Sequence, residues 1–466
     1  MGVQQFPVPE SGIPKGTTGA RPASPTVGTV FYDGTISSLV IWDGSAWLPC
    51  SAPSSQPTIS VADVGTGRAY NSAQATVTFT PGATGGKPLG YTVSSSTGGY
   101  SATTTSTTVN IAVGTQGSWT FSGTAYNDFG ISPTTPTTSI TLTTIPEAAS
   151  GVTAVVGTGS NINVSWTLGA TGGKNLSALE IVPFLNGTTE QTATSVSTSA
   201  TTGAVVGLTG GSSYTFKVRK INDNGTIDST ASTSVVVPIA IDYLVVAGGA
   251  GGGAGYSGAG AGAGGGAGGL LTGTSSVLFG VANTVTVGGA GAGGSGNNAR
   301  GASGSNSQFG SITACVGGGF GAGRGENGGN GGSGGGAGGG NAVAWQGGLG
   351  TAGQGTNGAN GFANATSGFD GGGLSTTSSI SGASLVYAVQ GYSNGSGAAG
   401  TANRGNGGSS GNPFTPPNGG AGGSGVVIIR YSDTVPAATT VTGSPTITVA
   451  GGYRVYRWTG SGSITL

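Results

Sequence analysis

The chain has 466 residues, no net charge, only 6% charged residues and no histidine. Such a charge-poor chain offers no basic stripe for nucleic acid, and without histidine neither serine–histidine catalysis nor a histidine metal site can be assembled. Glycine contributes 102 residues, most of them in one stretch, so the length is expected to divide into three or more domains.

Residues 1–18, with Pro7, Pro9 and Pro14, read as an extended arm. The first ten residues have neither an apolar core nor an early basic cluster. No secretory leader is therefore expected there, and no stretch is long and apolar enough to span a membrane. Residues 19–52 form a small β module. Its clearest signal is Leu39-Val-Ile-Trp-Asp-Gly-Ser-Ala-Trp-Leu48, where Asp43-Gly44 between Trp42 and Trp47 predicts a hairpin. The two tryptophans are expected to supply the core of this tiny unit. Cys50 and Cys315 fall in different segments, which excludes a disulfide framework.

From about 53 to 239 the chain shows alternating β-rich runs at regular spacing, the pattern of β-sandwiches. The pattern occurs twice. Thr78-Phe-Thr-Pro-Gly-Ala-Thr-Gly-Gly-Lys87 matches Ser165-Trp-Thr-Leu-Gly-Ala-Thr-Gly-Gly-Lys174. Likewise Asn127-Asp-Phe-Gly130 matches Asn222-Asp-Asn-Gly225. The copies are placed at 53–145 and 146–239 and are expected to act as rigid spacers.

Residues 240–431 open on Asp242-Tyr-Leu-Val-Val-Ala247 and close on Gly425-Val-Val-Ile-Ile-Arg-Tyr431. A flexible linker would not carry the aromatic residues that punctuate the glycines, nor β-type runs such as Ser276–Val281 and Asn283–Val287. Within 325–340, Gly325, Gly328, Gly331 and Gly334 share one of three phases, Gly329, Gly332, Gly335 and Gly338 share a second, and Asn327, Asn330 and Ser333 occupy the third. Threefold periodicity fits polyproline-II-type helices, which lack internal hydrogen bonds. Two bare faces would let neighbouring helices approach and bond through their backbones, while the third phase faces outward. Residues 432–466 are expected to form two or three strands with Gly451-Gly452 as a turn, and Leu466 is expected to pack into the base sheet.

The apolar opening, glycine-rich middle and Ser424-Gly-Val-Val-Ile-Ile-Arg-Tyr431 close resemble the bacterial and phage glycine-rich domain. They are also similar to the tip adhesins of T-even-like phages. Val164-Ser-Trp166 and Leu208…Tyr214-Thr-Phe-Lys-Val218 resemble a fibronectin type III domain, with Phe79 and Trp119 replacing the tryptophan and tyrosine in the first copy. The hairpin at 39–48 resembles a small module found near the ends of virion proteins.

The fold implied is all-β: an N-terminal module, two fibronectin type III-like sandwiches, and a polyglycine-II helix bundle framed by strands. The resemblance implies a phage virion protein, a tail-fibre adhesin exposed on the particle and assembled in the host cytoplasm. The alternative is a capsid-decorating head fibre. A bacterial surface adhesin is disfavoured.

Enzyme activity is not expected: Asp223 and Asp228 are explained by a turn, the Gly-x-Gly matches lack a P-loop lysine, and no calcium-binding pattern occurs. No cofactor or metal is expected. Loops at the bundle ends are expected to bind the receptor, with Trp345, Gln346, Phe362, Phe369, Asp370, Tyr387, Tyr392 and Phe414 as candidates. The implied partners are other virion proteins through the N-terminal region and a host glycan or outer-membrane protein, with a homotrimeric fibre as one arrangement the resemblance allows. Neither nucleic acid nor membrane insertion is expected.

Overall fold

The computed structural model describes residues 12–82, 89–257, 260, 262–340, 343–393, 395–412 and 418–466. In the N-terminal module, Val30–Asp33, Ser38–Trp42 and Trp47–Pro49 form an antiparallel meander. Asp43 closes the predicted hairpin by accepting the amides of Ser45 and Ala46, both at 2.7 Å. The Trp42 and Trp47 rings then meet at 5.7 Å, and Phe31 packs on Trp47.

The arm ends earlier than expected, because Lys15–Gly16 adds a parallel strand onto Tyr32 and Asp33. Buried Asp33 is the anchor. Burial alone would raise its pKa, but hydrogen bonds from Thr18 and the Thr35 amide, together with the Arg21 guanidinium, hold it below its ordinary value. The first part of the arm, 1–11, lies outside the described residues.

Each repeat is a two-sheet sandwich. In the first, Thr58–Asp63, Ala73–Thr80 and Thr108–Gly114 face a sheet ordered Gly130–Ile131, Gly117–Asn127, Gly90–Ser95, Ser101–Thr104, with Thr138–Leu142 also on Gly117–Asn127. Strict alternation along Ala73–Thr80 puts Val77 and Phe79 into the core with Tyr91, Ile111 and Phe121.

In the second, Ser150–Val156, Ile162–Thr167 and Thr202–Val205 face Ala178–Leu185, Ser213–Asn222 and their flanking strands. Trp166, Tyr214, Phe216 and Val218 fill that core. Phe79 and Trp166 are therefore equivalent core residues, as the repeat predicts.

The repeated Asn-Asp-x-Gly turn serves as a clamp in both copies. Asn127 Nδ2 donates to the Ser51 carbonyl at 2.9 Å, tying the first sandwich to the segment before it. Asn222 Nδ2 donates to the Thr144 carbonyl at 3.0 Å, and Asn224 Nδ2 to Thr143 Oγ1 at 2.7 Å. Thr143 in turn bonds Asp63 of the first sandwich. The junction between the sandwiches is thus held by buried and half-buried polar bonds, and the one before the first sandwich by an exposed one, rather than left as free linkers.

Ile239–Val246 and Val426–Ser432, the two apolar ends of the glycine-rich stretch, pair antiparallel at the centre of a sheet. That sheet runs Leu270–Val277, Ile239–Val246, Val426–Ser432, Tyr453–Trp458, Thr446–Ala450. One face packs on a second sheet (Gln308–Phe309, Ala282–Thr286, Gly462–Thr465, Thr440–Thr442) around Ile241, Phe309, Tyr456 and Trp458. The other covers Leu244, Val246, Ile428 and Tyr387. Burial on both faces explains why the framing strands read as unbroken apolar runs. Gly451 and Gly452, at φ +60° and +82°, make the predicted turn, and Leu466 is buried in this base. The β-run expected over Ser276–Val281 ends at Val277, and Leu278, Phe279 and Val281 are exposed in the turn that follows.

Above the base the glycines form extended segments that run out and back. Residues 247–254 show the arrangement. Gly248, Gly251 and Ala254 donate to Ser305, Ala302 and Ala299; Gly249 and Gly252 donate to Gly423 and Gly420; Ala247, Ala250 and Gly253 donate to Gly269, Gly266 and Ala263. Three other segments donate back: Gly318 and Gly321 to Gly248 and Gly251, Gly291 and Gly294 to Gly249 and Gly252, Gly408 and Gly411 to Ala250 and Gly253. Bonding partners recur every third residue, so one segment bonds three neighbours as donor and three as acceptor.

These segments are not helices by their hydrogen bonding; among the described residues the only helical turn is Thr18–Ala20. The expected phase also breaks. The chain reverses near 332–333, and Ser333 is buried instead of facing outward. Asn327 and Asn330 do face outward, and they also act as caps, because their Oδ1 atoms accept the Gln346 and Leu349 amides at 2.7 Å. Asn306, Asn357 and Asn360 do the same for Gly317, Gly350 and Gly347. Outer asparagines therefore satisfy backbone donors of neighbouring segments.

Cys315 is buried in the base, its thiol donating to the Val245 carbonyl at 3.1 Å, and burial pushes its pKa up to about 12. At pH 8 about 10⁻⁴ of this thiol is ionised. Iodoacetamide is expected to label half-buried Cys50 first and Cys315 only on unfolding, a difference readable by mass spectrometry of peptides after timed labelling. Equal rates in the native protein would contradict this placement.

Candidate functional site

Tyr256, whose amide donates to the Gly260 carbonyl, follows an outgoing segment that leaves the base at 247, and Gly260 precedes a returning one that reaches it at 269, so both lie at the end away from the base. From Tyr256 a continuous chain of contacts maps that end face. The Ser257 amide donates to Asn297 Oδ1 at 3.1 Å, and the Gly296 amide to Asn418 Oδ1 at 2.8 Å. Arg324 sets its guanidinium 5.2 Å from the Tyr256 ring centre, and its amide is capped by Asn298. The Arg324 side chain also lies against Gly340, whose φ of +101° and missing side chain make room for it.

Trp345 Nε1 donates to the Gly340 carbonyl at 3.3 Å, and the Trp345 carbonyl accepts the Gly361 amide at 2.8 Å. Phe369 packs beside Gly361 and meets Phe362 edge-on at 4.8 Å. Asp370 accepts the Ser393 amide at 2.6 Å and Gln390 Nε2 at 3.3 Å, which fixes the turn next to Tyr392.

Trp345, Gln346, Phe362, Phe369, Asp370 and Tyr392 are thus brought to one end. Phe362 is 67% exposed, Tyr392 53% and Tyr256 40%, and Gln346 is exposed as well. Trp345 and Phe369 are half-buried, and Asp370 is committed to its own turn. Tyr387 belongs elsewhere. It is fully buried in the base, on the strand Leu385–Tyr387, with Arg404 5.4 Å from its ring centre. It sits at the opposite end of the segments because 374–388 is a base hairpin. Phe414 lies outside the described residues.

Tyr256 and Arg324 join the face without any mark in the sequence as binding candidates. A lone aromatic and a lone arginine, each at the reversal of a glycine run and 68 positions apart, give no local motif. Among the described residues, Arg324 Nε and Glu326 Oε2 are buried without a hydrogen-bond partner. Among the described residues no group of three His, Cys, Asp or Glu side chains is placed to hold a metal, and no helix is long and apolar enough to cross a membrane.

No curated protein sequence matches the chain. Among solved structures it is similar to the FN1–FN3 domains of chicken CNTN1, at 18% identity over 43% of this chain and 76% of that one, with a TM-score of 0.24. It is similar to a run of titin domains at 18% identity over 43% of this chain and 73% of that one, also at 0.24. Likenesses this low carry no argument about function. The sequence profile of the family described as a glycine-rich domain matches residues 222–432, which takes in both framing strands and the whole of the segment array between them.

Proposed function

We propose that the chain is a virion adhesin of tail-fibre type. Its glycine-rich region is a polyglycine-II lattice, its two fibronectin type III-like sandwiches are spacers, and its N-terminal region joins it to other virion proteins. The threefold recurrence of backbone partners around residues 247–254 supports the lattice. The observation that carries the binding reading is the end face, where Phe362, Tyr392 and Tyr256 stand exposed on a scaffold otherwise poor in large side chains.

Exposed aromatics beside fixed amides and an arginine suit a host surface glycan or an outer-membrane protein loop. Recognition is non-covalent and no reaction is assigned. Several copies on one particle would raise the effective affinity of a weak single contact, and a homotrimer is one such arrangement.

The test is adsorption. Particles carrying Phe362→Ala with Tyr392→Ala are expected to adsorb to host cells at least tenfold more slowly. The purified unmodified chain should compete with unmodified particles for adsorption, and the variant chain should not. Both side chains are exposed, so thermal unfolding should be unchanged. Unaltered adsorption together with no competition would sink the adhesin reading and leave a capsid-decorating fibre in its place.

A further inference from the structure

We infer that the outer face of the first sandwich is a second binding site, specific for an uncharged oligosaccharide and independent of the end face. Along Gly117–Asn127, Phe121, Gly123 and Ala125 point into the core, which leaves Ser122, Thr124 and Tyr126 outside. The register aligns them with hydroxyls on the neighbouring strands. Ser122 lies opposite Ser94 and Ser94 opposite Ser101; Thr124 lies opposite Thr92 and Thr92 opposite Thr103. Two cross-strand rungs of hydroxyls result. Thr92 and Thr103 Oγ1 are 3.3 Å apart.

Beside these rungs is a groove of about 560 Å³, lined by Thr92, Thr103, Thr124, Tyr126, Phe129 and Ile131. Its size falls within the range of small-ligand sites. Tyr126 lies along the sheet across Gly90, where a side chain would collide with the phenol ring. Phe129 is 54% exposed and Ile131 67%, an apolar wall at the Asn-Asp-Phe-Gly turn. Hydroxyl donors and acceptors next to a flat aromatic match a sugar ring, which is apolar on its faces and hydroxylated at its rim.

The second sandwich supplies an internal comparison. Counting back from the matching turns, Thr124 corresponds to Arg219 and Ser122 to Lys217, and Thr92 corresponds to Glu180 opposite Arg219. That copy also has a groove, of about 570 Å³, but Glu180, Arg219 and Asp228 line it. Arg219 is already engaged by Asp228 at 2.7 Å and Glu190 at 2.9 Å. The two grooves therefore occupy corresponding positions and differ in chemistry. Among the described residues no lysine or arginine lines the first, and Asp128 is part of its lining, so an acidic glycan would meet a like charge there.

Affinity electrophoresis of the full chain in gels containing dextran, mannan or galactan tests this, with polygalacturonate as the acidic control. At least one neutral polysaccharide is expected to retard the chain, and polygalacturonate is not. Phe129→Ala should weaken the retardation at least tenfold. So should Thr92→Glu with Thr124→Arg, which transplants the second sandwich's pair, and thermal unfolding should not move in either case. Glu180→Thr with Arg219→Thr should change nothing. The proposal is overturned if none of the three neutral polysaccharides retards the chain, if retardation survives both groove variants, or if polygalacturonate retards equally. It is also overturned if retardation is lost instead with Phe362→Ala and Tyr392→Ala, which would assign sugar binding to the end face. A Phe129→Ala defect confined to capture of a protein, with no retardation by any polysaccharide, would make the groove a protein-docking face and overturn it too.

Discussion

Gly253→Ala is expected to unfold the glycine-rich region, whereas Gly289→Ala leaves it intact. Both positions are glycine in the same array, but their surroundings differ. A Cβ on Gly253 would fall on the Ala322 carbonyl, well under the 3.0 Å that side-chain carbons keep from backbone. Ala322 belongs to another extended segment, itself bonded to Gly336 and Ala263, so it cannot retreat without breaking its own hydrogen bonds. The cost combines overpacking with stranded buried amides, and we expect at least about 4 kcal/mol. Gly335, whose Cβ would meet the Phe320 carbonyl, should behave alike.

Gly289 is exposed and has nothing within 4 Å of an added Cβ, and its φ is not in the left-handed region. Alanine there should be neutral or stabilise by about 0.5 kcal/mol through the unfolded chain. Hydrogen exchange of the amides over 248–425 is the measurement. Gly253→Ala should lose protection across the region, and Gly289→Ala should keep it. Equal protection in both variants would mean that the segments are not in contact as described.

The second large effect is expected at Trp458. Its side chain is fully buried, stacks at 5.8 Å on Tyr456, and donates from Nε1 to the Thr442 carbonyl at 3.0 Å. Truncation to alanine leaves a cavity and an unpaired carbonyl, together about 4 kcal/mol or more. The consequence should reach beyond the base. Ile239–Val246 and Val426–Ser432 carry the two ends of the glycine region, and Tyr453–Trp458 pairs with the second of them. Trp458→Ala should therefore lower the unfolding temperature of the base and the glycine array together, with Cys315 becoming reactive to iodoacetamide in the same transition. The sandwiches have their own cores and should melt unchanged. Separate transitions for base and array would show that the array stands without its base.

Much of the scaffold was legible from local chemistry. Asp43-Gly44 and Gly451-Gly452 mark their turns because few other residues accept that backbone, and alternation along Ala73–Thr80 marks a half-buried strand because strand side chains point to opposite faces. The matching Phe79 and Trp166 positions follow from the repeat for the same reason. Less was legible at the end face. Gathering Tyr256, Arg324, Trp345, Phe362 and Phe369 requires knowing where each glycine run reverses, and a glycine run carries few signals for that. Tyr387 shows the consequence: an aromatic between glycine segments sits at either end, and the reversals before it put this one in the base.

By itself, then, the sequence determined the framing strands, the turns at Asp43-Gly44 and Gly451-Gly452 and the repeated sandwich cores, all of which are set within a few residues of where they are read. Only the tertiary structure decided which bare face lies on which, why Ser333 is buried, and that Asn327 and Asn330 cap the amides of a neighbouring segment. The physical reason is that a residue without a side chain permits close approach from many partners and selects none. The choice passes to long-range backbone bonding and to the few larger residues at the segment ends.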